Sequence, residues 1–405
     1  MATFKPFAAL RPKPDLAPRI CELPYDVMSS DEARALAAGN PLSFLHVSKP
    51  EIDLPPDADP HGPSVYAKGR ENFRRLIDAG ALFQERREAF YIYRQAMGAH
   101  TQTGLVGVAS CEEYLRGIVK KHELTRPDKE DDRVRHIEAL DAQTGPVFLT
   151  YPASSRIDAV VAGVAAGAPD VDFTAADGIR HSAWTVRDDH ANGALSGAFG
   201  EIPAFYIADG HHRSAAAARV FQSRQGAGRS GWFLSVAFPD NQLRILPYNR
   251  ALKDWNGRSP AAAFREWEKS LLPAETGIAV PRNRHEVCVY AEGEWRLWRF
   301  RPELCLGGDP VELLDVALLQ KHVLGPVFGI QDPRTDQRIS FIGGIRGTAE
   351  LEKLVNSGAA ACAVSMYPTQ VGDLMSVSDA GGIMPPKSTW FEPKLRDAMF
   401  CHLIG

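Results

Sequence analysis

The stretch AFYIADGHHRSAAAARVF, residues 204–221, decides the reading of this chain. Residues 204–208 form a short apolar run of the kind that makes a buried strand. Asp209-Gly210 is a turn signal, and Ser214 to Gln225 has the composition of a helix. The junction is therefore a strand-loop-helix corner crowded with polar groups. The first backbone N–H groups of a helix lack intrahelical acceptors, and the helix dipole places partial positive charge there. An anion suits that place. Gly210 permits close backbone approach, Arg213 offers a bidentate donor for phosphate oxygens, and His211 and His212 can donate hydrogen bonds or move protons. The alternative is a tight turn whose histidines are solvated or merely fill space.

With 405 residues, the chain is long enough for two or three domains, each with its own core. Lys and Arg number 46 against 50 Asp and Glu, for a formal charge of -4, and no long run of like charge occurs. This balance argues against a non-specific nucleic-acid surface. The six cysteines are scattered, with neither a C-x-x-C pair nor zinc-site spacing, which suits a reducing cytoplasm. No apolar signal core opens the sequence and no stretch of 18 apolar residues occurs, so a soluble cytoplasmic protein without membrane contact is expected.

Strand-like and helix-like segments alternate irregularly and include hairpin signals at 89–97 with 103–111 and across Glu292-Gly293. The expected fold class is therefore α+β, a mixed α/β arrangement. SSDEARALAAG reads as a helix capped at Ser30 and ended at Gly39. A helix is expected to start near Thr125 and Pro127 and to stop at Gly145-Pro146. Another is expected over DPVELLDVALLQKHVLG, and LRILPYNRAL reads as a strand. His181 and Trp184 on a strand read as core residues. Expected regions are 1–99, 100–255 and 256–405, the last following a composition change near residue 256.

The segment KHELTRPDKEDDR concentrates His122, Glu123, Arg126, Lys129 and Arg133. Glu123 just ahead of a helix start can serve as a general base for a hydroxyl or help to hold a metal ion. Arg126, Lys129 and Arg133 recur at i, i+3 and i+7, on one helix face; the alternative is an exposed helix laced with ion pairs. MPPKSTWFEPK offers Lys387, Ser388, Thr389 and Lys394 on a proline-stiffened loop that can bind phosphate but lacks the P-loop pattern. Asp26 in PYD and Asn249 with Arg250 in LPYNR are weaker candidates, for substrate contact or simply for a turn and a strand end.

PYDVMS, KHELTRPDKEDDR, ADGHHRSAA, LPYNR and MPPKSTWFEPKL occur in this order over nearly the whole chain. Together they resemble a bacterial domain-of-unknown-function family often labelled ParB-like. A His-Glu pair followed by a strand-DGHHR-helix corner further resembles the ParB/sulfiredoxin fold as used by free serine kinases. That resemblance implies a ParB/sulfiredoxin-like core within 100–255, flanked by α/β additions. It implies a nucleotide-dependent phosphotransferase, with Mg2+ and ATP or ADP, acting on a small hydroxylated amino acid such as L-serine. By matching position Glu123 would be the base, Asp209 would assist with a metal ion or the acceptor hydroxyl, and Gly210, His211, His212 and Arg213 would cradle phosphate. Arg126, Lys129, Arg133, Lys387, Ser388, Thr389 and Lys394 would steady the nucleotide, with the loop at 384–394 lent to the same cleft. His122, Asp26, Asn249 and Arg250 would meet the substrate. A phosphatase or nucleotidase using the same cradle, and a ParB-like nucleotide-binding switch without turnover, are the alternative functions. A homodimer stands open beside a monomer.

Overall fold

The hairpin expected near residue 98 forms. Tyr91–Met97 and His100–Ser110 pair antiparallel, with Met97 opposite His100, and Gly98 supplies the turn's positive φ of 58°. In this computed structural model, which describes residues 1–405, that hairpin belongs to a nine-stranded mixed sheet. The order across it is Val119–Lys120, Phe205–Asp209, Val147–Tyr151, Trp232–Pro239, His100–Ser110, Tyr91–Met97, Arg180–Thr185 and Val171–Thr174, with Phe4–Lys5 pairing beside His100–Ser110. Val147–Tyr151 is buried along its full length, and its one hydroxyl-bearing aliphatic residue, Thr150, is satisfied by donating to the Phe238 carbonyl at 3.1 Å.

Helix His211–Ser223 owes its place to its alanines. Ala215, Ala217 and Ala218 join the core beneath the sheet, while Ala216 and Val220 meet Ile137 of helix Pro127–Leu140 and Ile404 near the chain end. Small side chains on two faces let one helix lie close to a sheet and to a second helix at once. His181 is buried, with Nδ1 2.7 Å from the Tyr93 hydroxyl, and Trp184 is core as well.

The chain forms two compact units, one of Met1–Leu243 with Pro393–Gly405 and one of Arg244–Glu392. This corrects the expected regions. The point 99/100 falls inside a hairpin, the first unit ends before residue 256, and the last segment returns to it. His402–Leu403 pairs with Ala142–Gln143, and Leu10 bridges Cys401. The second unit is built on an antiparallel sheet ordered Leu271–Thr276, Glu294–Phe300, Glu286–Ala291, Cys362–Met366, Tyr248–Leu252 and Ile339–Gly343. Both units mix helices with sheet, so the protein is a mixed α/β protein. No helix is long and apolar enough to cross a membrane.

Several element ends differ from expectation for local reasons. Ser29, not Ser30, caps the first long helix, in a reciprocal pair with Glu32. Helix Pro127–Leu140 is capped by Arg126 and ends at Asp141, whose φ is 54°. The residues beyond it are taken by pairing with the chain end, a distant partner invisible in local sequence. The Asp309 side chain accepts the Val311 N–H at 2.9 Å, a turn that delays the helix there until Asp315–Leu319; a π-turn, Gln320–Leu324, follows. Pro247 divides LRILPYNRAL into Ile245–Leu246 and Tyr248–Leu252, which lie in different sheets.

Candidate functional site

The strand Phe205–Asp209 stops where Gly210 turns left-handed, at φ 96° and ψ 29°, and the helix starts at His211, three residues before the expected Ser214. The first helical bond runs from the Ser214 N–H to the Gly210 carbonyl at 3.0 Å. His211, His212 and Arg213 therefore occupy the first turn, where backbone N–H groups have no intrahelical acceptor. A Cβ at position 210 would lie 3.0–3.1 Å from the Arg213 guanidinium and crowd it, and the positive φ itself favours glycine.

Asp209 carries two cationic neighbours, Nη2 of Arg213 at 3.4 Å and Nζ of Lys394 at 3.5 Å. Burial pushes its carboxyl pKa up, but Lys394, Arg213 and His211 outweigh this and hold it below the usual range. It is an ionised group whose charge is already met.

The His-Glu segment lies directly beside this corner. The His122 N–H approaches Nε2 of His211 at 3.5 Å, and the Arg126 N–H donates to Nε2 of His212 at 3.1 Å. Burial lowers the pKa of both histidines. A neutral ring whose Nε2 accepts carries its proton on Nδ1. In His211 that nitrogen stands 3.9 Å from Oε2 of Glu123, a residue half exposed to solvent. The His122 ring meets the His211 ring edge-on, with centroids 4.5 Å apart, and burial brings the His122 pKa down to about 4.

One ring nitrogen each from His122 and His211 and one Glu123 oxygen lie within 4.8 Å of one another. Such a mixed nitrogen and oxygen set suits a transition-metal ion, whereas Mg2+ prefers oxygen ligands in octahedral geometry. For Mg2+ this chain offers Asp209, engaged by two cations, and Glu123. A nucleotide-borne Mg2+ therefore fits only if phosphates and water supply most of its ligands.

Beneath the corner, buried Arg213 donates through Nη1 to the Pro146 carbonyl. A cavity of about 30 Å³, close to the size of one water, is lined by Tyr25, Arg133, Gln143, Gly145, Arg213 and Asp397. Asp397 is 3% exposed and its Oδ1 has no hydrogen-bond partner. Burial pushes its pKa up to about 7; Asp26 adds to the rise and Arg213, Arg133 and Arg396 oppose it. Asp26 also acts electrostatically on His212 and Arg213, so it belongs to the same neighbourhood.

The remaining candidates divide. The Arg126 guanidinium turns to Asp128, at 3.2 and 2.8 Å, and is exposed. Lys129 is half-buried. Arg133 is buried, bonded to Asp132 and stacked 3.7 Å over Tyr25, so the expected single basic helix face is corrected: its third member points inward. Lys387, Ser388, Thr389, Asn249 and Arg250 belong to the Arg244–Glu392 unit. There Lys387 lies 5.3 Å over the Tyr248 ring, and the Ser388 hydroxyl donates to the Pro385 carbonyl at 2.6 Å. Thr389 is half-buried, and Asn249 Oδ1 accepts the Met366 N–H at 3.0 Å within the sheet. Neither Tyr25 nor Asp397 is singled out by the sequence reading, although Tyr25 lies within the PYDVMS box and Asp397 three residues beyond Lys394.

No curated protein matches this chain. Among solved structures, it is similar to a free serine kinase mutant in complex with ADP, at 13% identity and a TM-score of 0.35, covering 70% of this chain and 86% of that one. SbnI with a C-terminal truncation, from Staphylococcus aureus, gives 10% identity and a TM-score of 0.38, with 74% and 87% covered. A conserved hypothetical protein from Pyrococcus furiosus gives 12% and 0.34, with 72% and 92% covered. The family described as "Protein of unknown function (DUF1015)" matches residues 4–317, and the chain belongs to that family.

Proposed function

We propose that this protein transfers a phosphoryl group from ATP or ADP to the hydroxyl of a small amino acid, with L-serine the leading acceptor. The observation that carries this reading is the pairing of Glu123 with His211, 3.9 Å apart, at the start of a glycine-capped helix. A base and an anion-receptive helix end are what such a transfer needs side by side.

In this mechanism the terminal phosphate meets the backbone N–H groups of the first turn, 211–213, which carry the helix's partial positive charge. Lys394 and Arg213 add positive charge on either side of Asp209. Glu123 and Asp209 are the carboxylates that would meet a Mg2+ ion, which would supply further positive charge against the phosphates. The acceptor oxygen forms its bond to the terminal phosphorus as the bond to the bridging oxygen breaks, and the shortened nucleotide leaves with that electron pair. Glu123 takes the hydroxyl proton, with Nδ1 of His211 3.9 Å from its carboxylate. His122 and Asp26 lie near enough to shape the acceptor's side of the site. Positioning and charge supply most of the acceleration.

The test is a product assay with purified protein, Mg2+, ATP or ADP, and L-serine, L-threonine and L-homoserine, read by mass spectrometry. O-phosphoserine formed only with nucleotide supports the reading. Phosphate released from added O-phosphoserine without nucleotide points to a phosphatase instead.

A further inference from the structure

In the Arg244–Glu392 unit, Arg250 is 3% exposed and has no carboxylate partner. Its guanidinium is held by backbone alone: Nη1 donates to the Tyr248 carbonyl and Nη2 to that of Lys387 at 3.4 Å. One face rests 5.2 Å above the Phe341 ring. A buried cation without a counter-charge is costly, and fixed carbonyl dipoles offset that cost only in part. Burial draws the Arg250 pKa down to about 10, which agrees with an unmet charge.

Arg250 lines a cavity of about 280 Å³ whose walls include Phe341, Leu324, Pro385 and Pro386. Gln320 lines it too. Its Nε2 donates to the Ile330 carbonyl at 2.7 Å, which fixes the amide's orientation and leaves Oε1 buried without a donor. Gln320 also opens the π-turn Gln320–Leu324, a distortion that recurs at functional sites. The cavity therefore presents Arg250 without a carboxylate partner and one unmet acceptor beside apolar residues, and its lining also holds Gln331 and the ion pair of Asp332 with Arg334 at 2.8 Å.

We propose that this cavity binds a small carboxylic acid bearing a hydrogen-bond donor, an amino or hydroxy acid, with its carboxylate on Arg250 and its donor on Gln320 Oε1. The planar guanidinium matches a carboxylate, and a phosphate dianion would set its oxygens against the Gln320 carbonyl. The inference concerns binding to this unit alone and does not depend on the phosphoryl-transfer reading.

The full chain is tested by calorimetry and thermal melting with L-lactate, L-serine, propionate, ethanolamine and inorganic phosphate, each at about 10 mM, a concentration that raises the melting temperature if it exceeds Kd. L-lactate and L-serine should bind, and propionate, which lacks the donor, should bind several-fold more weakly. Arg250→Gln should lose about tenfold or more in affinity for L-lactate, as for loss of a charge-assisted pair. Should Arg250→Gln fail to fold, Gln320→Leu carries the test, and it should erase the preference for L-lactate over propionate. Absence of L-lactate binding to the parent would overturn the proposal. So would equal binding of ethanolamine or phosphate, or undiminished L-lactate binding by a folded Arg250→Gln.

Discussion

Nε2 of His212 accepts the backbone N–H of Arg126 at 3.1 Å, so a side chain of the helix corner pins the main chain of the segment carrying Glu123. The sequence places these residues 86 positions apart. In the proposed transfer His212 thus acts as a positioning residue, and its neutral form is the one that can accept. His212→Ala should quicken hydrogen exchange at the Arg126 amide and slow phosphoryl transfer by about tenfold to a hundredfold, with nucleotide affinity little changed. Unchanged exchange at that amide would remove the pinning role.

Gly210 is the second point at which local structure fixes the site. Alanine there must adopt φ near 96° and bring Cβ within 3.0 Å of Arg213. Gly210→Ala should cost about 1–2 kcal/mol of stability from backbone handedness alone. It should also weaken nucleotide binding by displacing Arg213. Denaturant unfolding and calorimetric titration of ADP read the two effects separately; undiminished ADP affinity would show that the corner does not hold phosphate.

Asp397 gives a pH signature. Its folded pKa is raised from 3.8 to about 7, so the folded protein retains a proton that the unfolded chain has already released. Stability from this group is full below pH 3.8 and is lost as pH rises toward 7. Asp397→Asn, which cannot ionise, should therefore gain on the parent as pH rises from about 5 to about 8. Equilibrium unfolding at those two values measures the difference. A gap that stays constant would mean that Asp397 is ionised throughout.

The corner itself was legible because a strand, a glycine and a helix follow one another within 20 residues, and local composition reports each of them. The helix start was misread at Ser214 because the Asp209-Gly210 turn signal made the polar residues after it read as loop, whereas the left-handed Gly210 lets His211 begin the helix. The nearness of Glu123 to His211 followed from family resemblance, not from spacing. Tyr25 and Asp397 were missed because their place under Arg213 depends on the chain end returning to the first unit, where the Asp397 N–H donates to the Glu22 carbonyl at 2.9 Å. Arg133 was misassigned to a basic face because helical spacing gives a direction but not what covers it; Tyr25 does.

In the proposed transfer Glu123 removes a proton from an acceptor hydroxyl beside a phosphate held at residues 210–213. The most direct measurement compares parent and Glu123→Gln for O-phosphoserine formation by mass spectrometry, with nucleotide affinity determined on the same samples. A loss of about a hundredfold or more in product formation with nucleotide affinity retained is the predicted result. Equal product from both proteins, or none from a folded parent that binds nucleotide, would contradict it.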